Sequence, residues 1–256
     1  MDCSHTALAV ELFELTLLNT SVATFPASSI TETLSPIDAA SAAVLAEQCV
    51  PTSFSAEILD AIADQLVENG YLILRDVLPA ALTEALRVRV EEAPVEEFRF
   101  AAIGRGTEQQ LNKEIRSDRI RWLAADCEPD ASYQRYMESL REGLNQRLFM
   151  GLFDYESHYA WYRPGAFYQK HLDALRGSQN RILTTVFFLN HDWQAAQGGE
   201  LIIYDEADNP IETVLPEFGT LVIFLSERFP HEVRPTQRGR GSIAGWFRVS
   251  NSHYGF

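Results

Sequence analysis

The 256 residues carry 36 Asp and Glu against 21 Lys and Arg, a formal net charge of −15, and 46% of them are hydrophobic. That composition excludes wholesale disorder, and the negative charge argues against general nucleic-acid binding, because a phosphate backbone would repel it. No stretch approaches the roughly 18 consecutive apolar residues of a membrane-spanning helix, and none of the cysteines Cys3, Cys49 and Cys127 forms a CxxC pair, which removes zinc-ribbon and thioredoxin-like readings.

Along the chain, the first 74 residues hold ten acidic and no basic side chains; the first Lys or Arg is Arg75. A signal peptide needs a basic n-region, so the cytoplasm is the expected compartment. Residues 1–50, rich in Ala, Ser, Thr and Leu, read as an N-terminal extension of unassigned role, with a short helix over Ala7–Leu18 and a linker over Ser21–Pro36. A compact domain is expected over 51–256. Ser55 is a plausible N-cap, Ile58, Leu59, Ile62 and Leu66 follow at helical spacing, and Gly70 is a stop signal. Tyr71–Val77 reads as a strand and Pro79–Glu92 as a second helix with Leu82 and Leu86 inward. Phe98–Arg116 is polar and reads as a long loop, Ile120–Leu123 as a strand. Tyr133, Met137, Leu140, Leu144 and Leu148 recur at helical spacing.

After Gly151 short β-rich runs alternate with turn residues: Ser157–Tyr162, Phe167–His171, Ile182–Leu189, Glu200–Tyr204, Thr220–Leu225, His231–Arg234 and Ser242–Val249. Arg163-Pro164-Gly165, Gly177-Ser178, Gly198-Gly199, Asn209-Pro210 and Gly239–Gly241 read as breakers. Helices first and strands later predict an α+β fold, with the helices packed on one sheet of a jelly roll.

Among six histidines, His171 stands in His171-Leu172-Asp173. On a strand, residues two apart share a face, so this imidazole and carboxylate can reach one metal ion. His231 opens a later strand after Phe229-Pro230 and is the candidate third ligand. Two histidines and one carboxylate leave positions open on the metal, which suits non-heme Fe(II) enzymes. Arg240 lies nine residues after His231, and the apolar strand that follows it offers no carboxylate. If it is buried it needs one, and a dicarboxylate co-substrate would supply it.

Several segments taken together resemble a known family: Tyr162-Arg163-Pro164-Gly165, Tyr168-Gln169-Lys170-His171-Leu172-Asp173, Phe188 through Trp193, Gly198-Gly199-Glu200-Leu201, Pro230-His231-Glu232-Val233, and Arg240 through Trp246. Upstream, Ile115 through Trp122 is similar to the family's IRGDxIxW segment. In order and spacing, residues from about 51 to 256 resemble the Fe(II)/2-oxoglutarate-dependent oxygenases of the prolyl 4-hydroxylase branch, near the enzymes acting on hypoxia-inducible factor and their bacterial relatives. The resemblance implies a double-stranded β-helix, with His171, Asp173 and His231 as iron ligands. It implies that Arg240 holds the distal carboxylate of 2-oxoglutarate, with Tyr162 beside the co-substrate. Asp118 and Arg181 match a charged pair bordering the substrate, expected as a direct ion pair. Tyr168 and Trp246 match aromatic residues lining the approach of a substrate proline, and Phe98–Arg116 matches a closing loop. Two departures stand out: Phe188 replaces a tyrosine whose hydroxyl helps hold 2-oxoglutarate, and Ser117 replaces a glycine.

The resemblance thus implies hydroxylation of an exposed proline in a protein substrate. Fe(II), 2-oxoglutarate and O2 would be required, with ascorbate as reductant, and succinate and CO2 would be released. If the host is bacterial, translation elongation factor Tu is the first substrate to expect. Two alternatives stay open: a hydroxylase of free proline or another small metabolite, and a sensor or binding module that keeps the fold without turnover. Neither nucleic acid nor membrane is expected as a partner.

Overall fold

The computed structural model describes residues 52–100, 114–174 and 180–250. The expected extension over 1–50, its helix and linker, most of the Phe98–Arg116 loop, the Gly177-Ser178 turn, His5 and His253 lie outside the described residues. The elements are α1 (Ala56–Glu68), β1 (Tyr71–Arg75), α2 (Ala80–Glu91), β2 (Arg99–Phe100), β3 (Arg119–Trp122) and α3 (Asp130–Leu148), then eight strands. These are β4 (Leu152–Tyr162), β5 (Tyr168–His171), β6 (Arg181–Phe188), β7 (Leu201–Tyr204), β8 (Pro210–Val214), β9 (Thr220–Leu225), β10 (His231–Val233) and β11 (Arg240–Val249).

Local chemistry accounts for the helix ends. The Ser55 hydroxyl accepts from the Ile58 N–H, and Leu59, Ile62, Ala63 and Leu66 form the buried stripe of α1. Gly70 then turns the chain with φ +79°, a conformation that suits a residue without Cβ. In α3, Tyr133, Met137, Leu140 and Leu144 face inward at the same spacing.

Among the described residues the strands make two antiparallel sheets, one in the order β1-β9-β6-β11-β4-β3-β2 and one in the order β5-β10-β7-β8. The period of two in each strand divides the core. Leu183 and Phe187 of β6, Leu221 and Ile223 of β9, and Ile243 and Phe247 of β11 pack with Leu59, Ile62, Tyr133, Met137 and Leu140 of the helices. The alternate residues Val186, Phe188, Val222 and Phe224 join Leu201, Ile203 and Val233 of the smaller sheet. Both faces of the larger sheet are therefore covered. That is why β9 reads as a nearly continuous apolar run, and β6 as one interrupted only by Thr184 and Thr185, rather than as alternation. The result is the double-stranded β-helix that the sequence implied, with the helices on the outer face of the larger sheet.

β8 is not among the expected strands: Asn209-Pro210 does separate β7 from the strand that follows, but Pro210 itself opens that strand, the outer one of the smaller sheet, where a missing N–H does little harm. Trp122 is 54% exposed, whereas Trp193 is buried. No helix among the described residues is long and apolar enough to cross a membrane.

Candidate functional site

β5 and β10 are neighbours, and their register sets His171 directly opposite His231. Asp173 follows just past the end of β5. The ligand atoms of these three residues all lie within 4.8 Å of one another. His171 Nε2 is 3.5 Å from one Asp173 oxygen, and His231 Nε2 is 3.5 Å from the other. Each Nδ1 meets the carbonyl two residues before it: His171 that of Gln169 at 2.8 Å, His231 that of Phe229 at 3.1 Å. A carbonyl only accepts, so each Nδ1 carries the proton and each Nε2 offers its lone pair to the cluster. The Thr184 hydroxyl donates to Asp173 Oδ2 at 2.9 Å and lies 2.9 Å from the Ser226 hydroxyl.

Electrostatics favour the ligating forms. Burial by itself would raise the Asp173 pKa, but His231 and His171 outweigh it and hold the carboxyl well below its usual range. Burial lowers His231 to about 4, with His171 acting in the same direction. Near neutral pH the cluster presents a carboxylate and, at His231, a neutral imidazole, the forms that bind a divalent cation.

Arg240 opens β11, so Arg240, Ser242 and Trp246 share the face turned into the β-helix. Its side chain is fully buried; Nε donates to the Gly199 carbonyl at 2.8 Å and Nη1 to the Ser242 hydroxyl at 3.2 Å. Nη2 is buried with no hydrogen-bond partner. The guanidinium lies 4.8 Å from the Tyr162 ring and 5.0 Å from the Phe188 ring. Gly199 adopts φ +72°, and a Cβ there would press on the Arg240 stem at 3.1 Å. The pair read as a strand breaker thus also cradles Arg240. Tyr162, Tyr168, Trp246, Arg240 and the histidine–aspartate cluster line one cavity. Burial pushes the Tyr162 and Tyr168 hydroxyls up, that of Tyr168 to about 12, so both are protonated donors at neutral pH.

The expected Asp118–Arg181 ion pair does not form. Asp118, fully buried, takes both prongs of Arg116 at 2.6 and 2.9 Å. Arg181 binds Glu156 at 2.8 Å and lies 3.6 Å above the Trp246 ring. The reason is proximity: Arg116 is two residues from Asp118, and Glu156 lies on β4, across β11 from Arg181 on β6. The early segment is tied to the barrel by other means. Ser117 N–H donates to the Phe167 carbonyl at 3.1 Å, and the Ser117 hydroxyl accepts from the Phe167 N–H at 3.0 Å. The serine that departs from the family pattern therefore has a structural use. Residues without an assigned role in the sequence reading are Arg116, Thr184, Ser226 and Gly199. Arg116 and Gly199 stood inside the matched segments, and Thr184 shares the inward parity of Val186 and Phe188.

A double-stranded β-helix with two imidazoles and a carboxylate converging at one end of its interior, and an unpaired arginine within, defines a metal-dependent oxygenase scaffold. The comparisons agree. The family model described as the 2OG-Fe(II) oxygenase superfamily matches residues 157–248. The crystal structure of a Pseudomonas putida prolyl-4-hydroxylase is 37% identical with TM-score 0.68, the match covering 75% of this chain and 100% of that one. A Trichoplax adhaerens prolyl hydroxylase, solved with a hypoxia-inducible-factor peptide, shares the fold at 24% identity and TM-score 0.63, over 75% of this chain and 90% of that one. A PKHD-type hydroxylase of Synechocystis, itself uncharacterized, is 31% identical over 134 residues, 45% of this chain and 44% of that protein, so the match spans less than half of that relative. The chain belongs to the 2OG-Fe(II) oxygenase superfamily, and these solved relatives are prolyl hydroxylases.

Proposed function

We propose that the protein is an Fe(II)- and 2-oxoglutarate-dependent prolyl 4-hydroxylase acting on a proline in a protein substrate. The observation that carries this reading is the unpartnered Nη2 of buried Arg240, in the same cavity as the His171–Asp173–His231 cluster. A desolvated guanidinium with one edge free fits a carboxylate, and the N,N,O donor set fits a ferrous ion with open positions. The residues present therefore fit both groups.

When bound, Fe(II), 2-oxoglutarate and O2 supply the oxidising power that places a hydroxyl on an unactivated C–H bond, with release of succinate and CO2. His171, Asp173 and His231 would hold the metal from one side. Arg240, prevented from swinging by Gly199 and Ser242, would fix the distal carboxylate of 2-oxoglutarate. The Tyr162 hydroxyl would donate beside it. Val186 and Leu201 give the cavity apolar walls, and the Phe188 ring packs beside the guanidinium, which strengthens the charge pairing. Tyr168 and Trp246 would bound the approach of a proline ring and select one C–H by position.

Two things support a protein proline as the target: the aromatic walls, and the 37% identity to a bacterial prolyl-4-hydroxylase along that enzyme's whole chain. Elongation factor Tu is the first candidate if the host is bacterial, and ascorbate is the reductant to include. The test is incubation of host lysate with the protein, Fe(II), 2-oxoglutarate and ascorbate, followed by peptide mass spectrometry. One added oxygen on a defined proline, absent with Asp173→Ala, is expected. Hydroxylation of free proline or another metabolite, with no modified protein, would overturn the substrate assignment.

A further inference from the structure

His171 is the more open of the two imidazoles, with its side chain 17% exposed against 6% for His231. Phe224 packs edge-on against His231 at 4.8 Å. The plane of His171 is set by Tyr168, whose ring stacks on it at 3.6 Å and 18°. Tyr168 is held in turn: the Arg116 guanidinium sits 4.5 Å from its ring centroid, and Arg116 is forked onto buried Asp118. Rotation of His171 within its plane is set separately by the Gln169 carbonyl. Gln169 is itself anchored, its N–H donating to the Ile115 carbonyl and its Nε2 to the Glu114 carbonyl, both at 2.9 Å. Both rotational freedoms of the imidazole thus trace back to residues 114–118, a segment that contributes no ligand atom to the cluster.

We propose that Tyr168 and Arg116 are positioning residues, which hold His171 in its ligating orientation and make segment 114–118 a determinant of metal affinity. The proposal rests on the metal reading above. An imidazole that can tilt loses orientational entropy when it ligates, and groups that orient a ligating histidine typically contribute about 10- to 100-fold in metal affinity. The coupling is reciprocal: a metal that needs His171 oriented stabilises the docked segment by the factor that undocking weakens the metal.

The test is Co(II) titration of the full-length, metal-free protein under anaerobic conditions, read by the cobalt d–d absorption and by the melting temperature of the metal-free form. Tyr168→Leu is expected to weaken Co(II) binding by roughly 10- to 100-fold, to alter the d–d band, and to leave metal-free melting near wild type. Tyr168→Phe, which keeps the stacked ring, should stay within about threefold of wild type, on the same scale. The double variant Arg116→Gln/Asp118→Asn removes both charges together, so no buried charge is left unpaired; it should weaken binding by at least about threefold. Tyr168→Leu with wild-type affinity and band would overturn the proposal. Should that variant fail to fold, the double variant decides, and wild-type affinity there would overturn it equally. Failure of the wild-type protein to bind Co(II) would instead bring down the metal reading itself.

Discussion

At the scale of single residues, Arg240 and its surroundings make the sharpest demand. Two of its nitrogens are satisfied by Gly199 and Ser242, and the third has no partner among aromatic rings. Removing one member of a buried ion pair costs about 3–5 kcal/mol. Arg240→Met should therefore raise the 2-oxoglutarate KM by at least about a hundredfold while leaving Co(II) affinity unchanged; kinetics and metal titration on the same preparation check both halves. Arg240→Lys should fall between, since it keeps the charge and loses the fork. The ligand candidates were legible in the sequence because HxD and Pro-His leave a side-chain signature at fixed spacing. The carbonyls of Gln169 and Phe229, which orient those ligands, leave none, since any residue carries a carbonyl. The pairing of Asp118 was also beyond the sequence, because partner choice for a buried carboxylate depends on which cation the fold brings nearest.

At the scale of elements, β11 is the member on which the others depend. It pairs with β4 on one side and β6 on the other, and it supplies Arg240, Ser242 and Trp246 to the cavity and Ile243 and Phe247 to the helix-covered core. Gly245 sits on the helix side, where a Cβ would overlap the Tyr155 hydroxyl. That hydroxyl cannot readily retreat, since it is bonded to Thr185 at 2.7 Å and lies 3.3 Å from the Tyr133 hydroxyl. Gly245→Ala should destabilise the protein by about 1–3 kcal/mol through overpacking, measured by urea unfolding, and adding Tyr155→Phe should recover part of the loss. Strands such as β6 and β9 were readable because burial on both faces makes them mostly apolar, Thr184 and Thr185 of β6 aside. The first half of β4 was not, because Asp154 and Glu156 interrupt the apolar pattern and find their partners only across the sheet, in Arg248 and Arg181. β8 escaped notice because a proline at the start of an outer strand looks like one in a turn.

At the scale of the whole molecule, the two sheets bury titratable groups as well as apolar ones, and this gives the fold a defined response to acid. Burial lowers His158 to about 3, and nearby Arg116 pushes in the same direction; an unfolded histidine titrates near 6.5. The folded state thus resists a proton that the unfolded state accepts. Stability is complete above about pH 6.5 and is lost as pH falls towards 3, at up to about 1.4 kcal/mol per pH unit from this group. His231, lowered to about 4, adds to the same trend. Urea unfolding of the metal-free protein between pH 7 and pH 5, a window chosen to straddle the unfolded-state pKa, should show stability falling with acid. His158→Gln should flatten the slope by about 0.7 proton averaged over this window, and by close to one at pH 5, whatever it does to absolute stability; an unchanged slope would mean that His158 is charged in the fold. The central claim is that the histidine–aspartate cluster and Arg240 form one oxygenase site, and turnover tests it most directly. The metal-free protein would be reconstituted with Fe(II) under anaerobic conditions, given 2-oxoglutarate and host-lysate protein, and exposed to O2 while succinate and hydroxyproline are measured together. The account predicts iron-dependent succinate in step with hydroxyproline, lost with Asp173→Ala and restored in Arg240→Met only at very high 2-oxoglutarate. Succinate formed without iron, or full activity retained in Asp173→Ala, would contradict it.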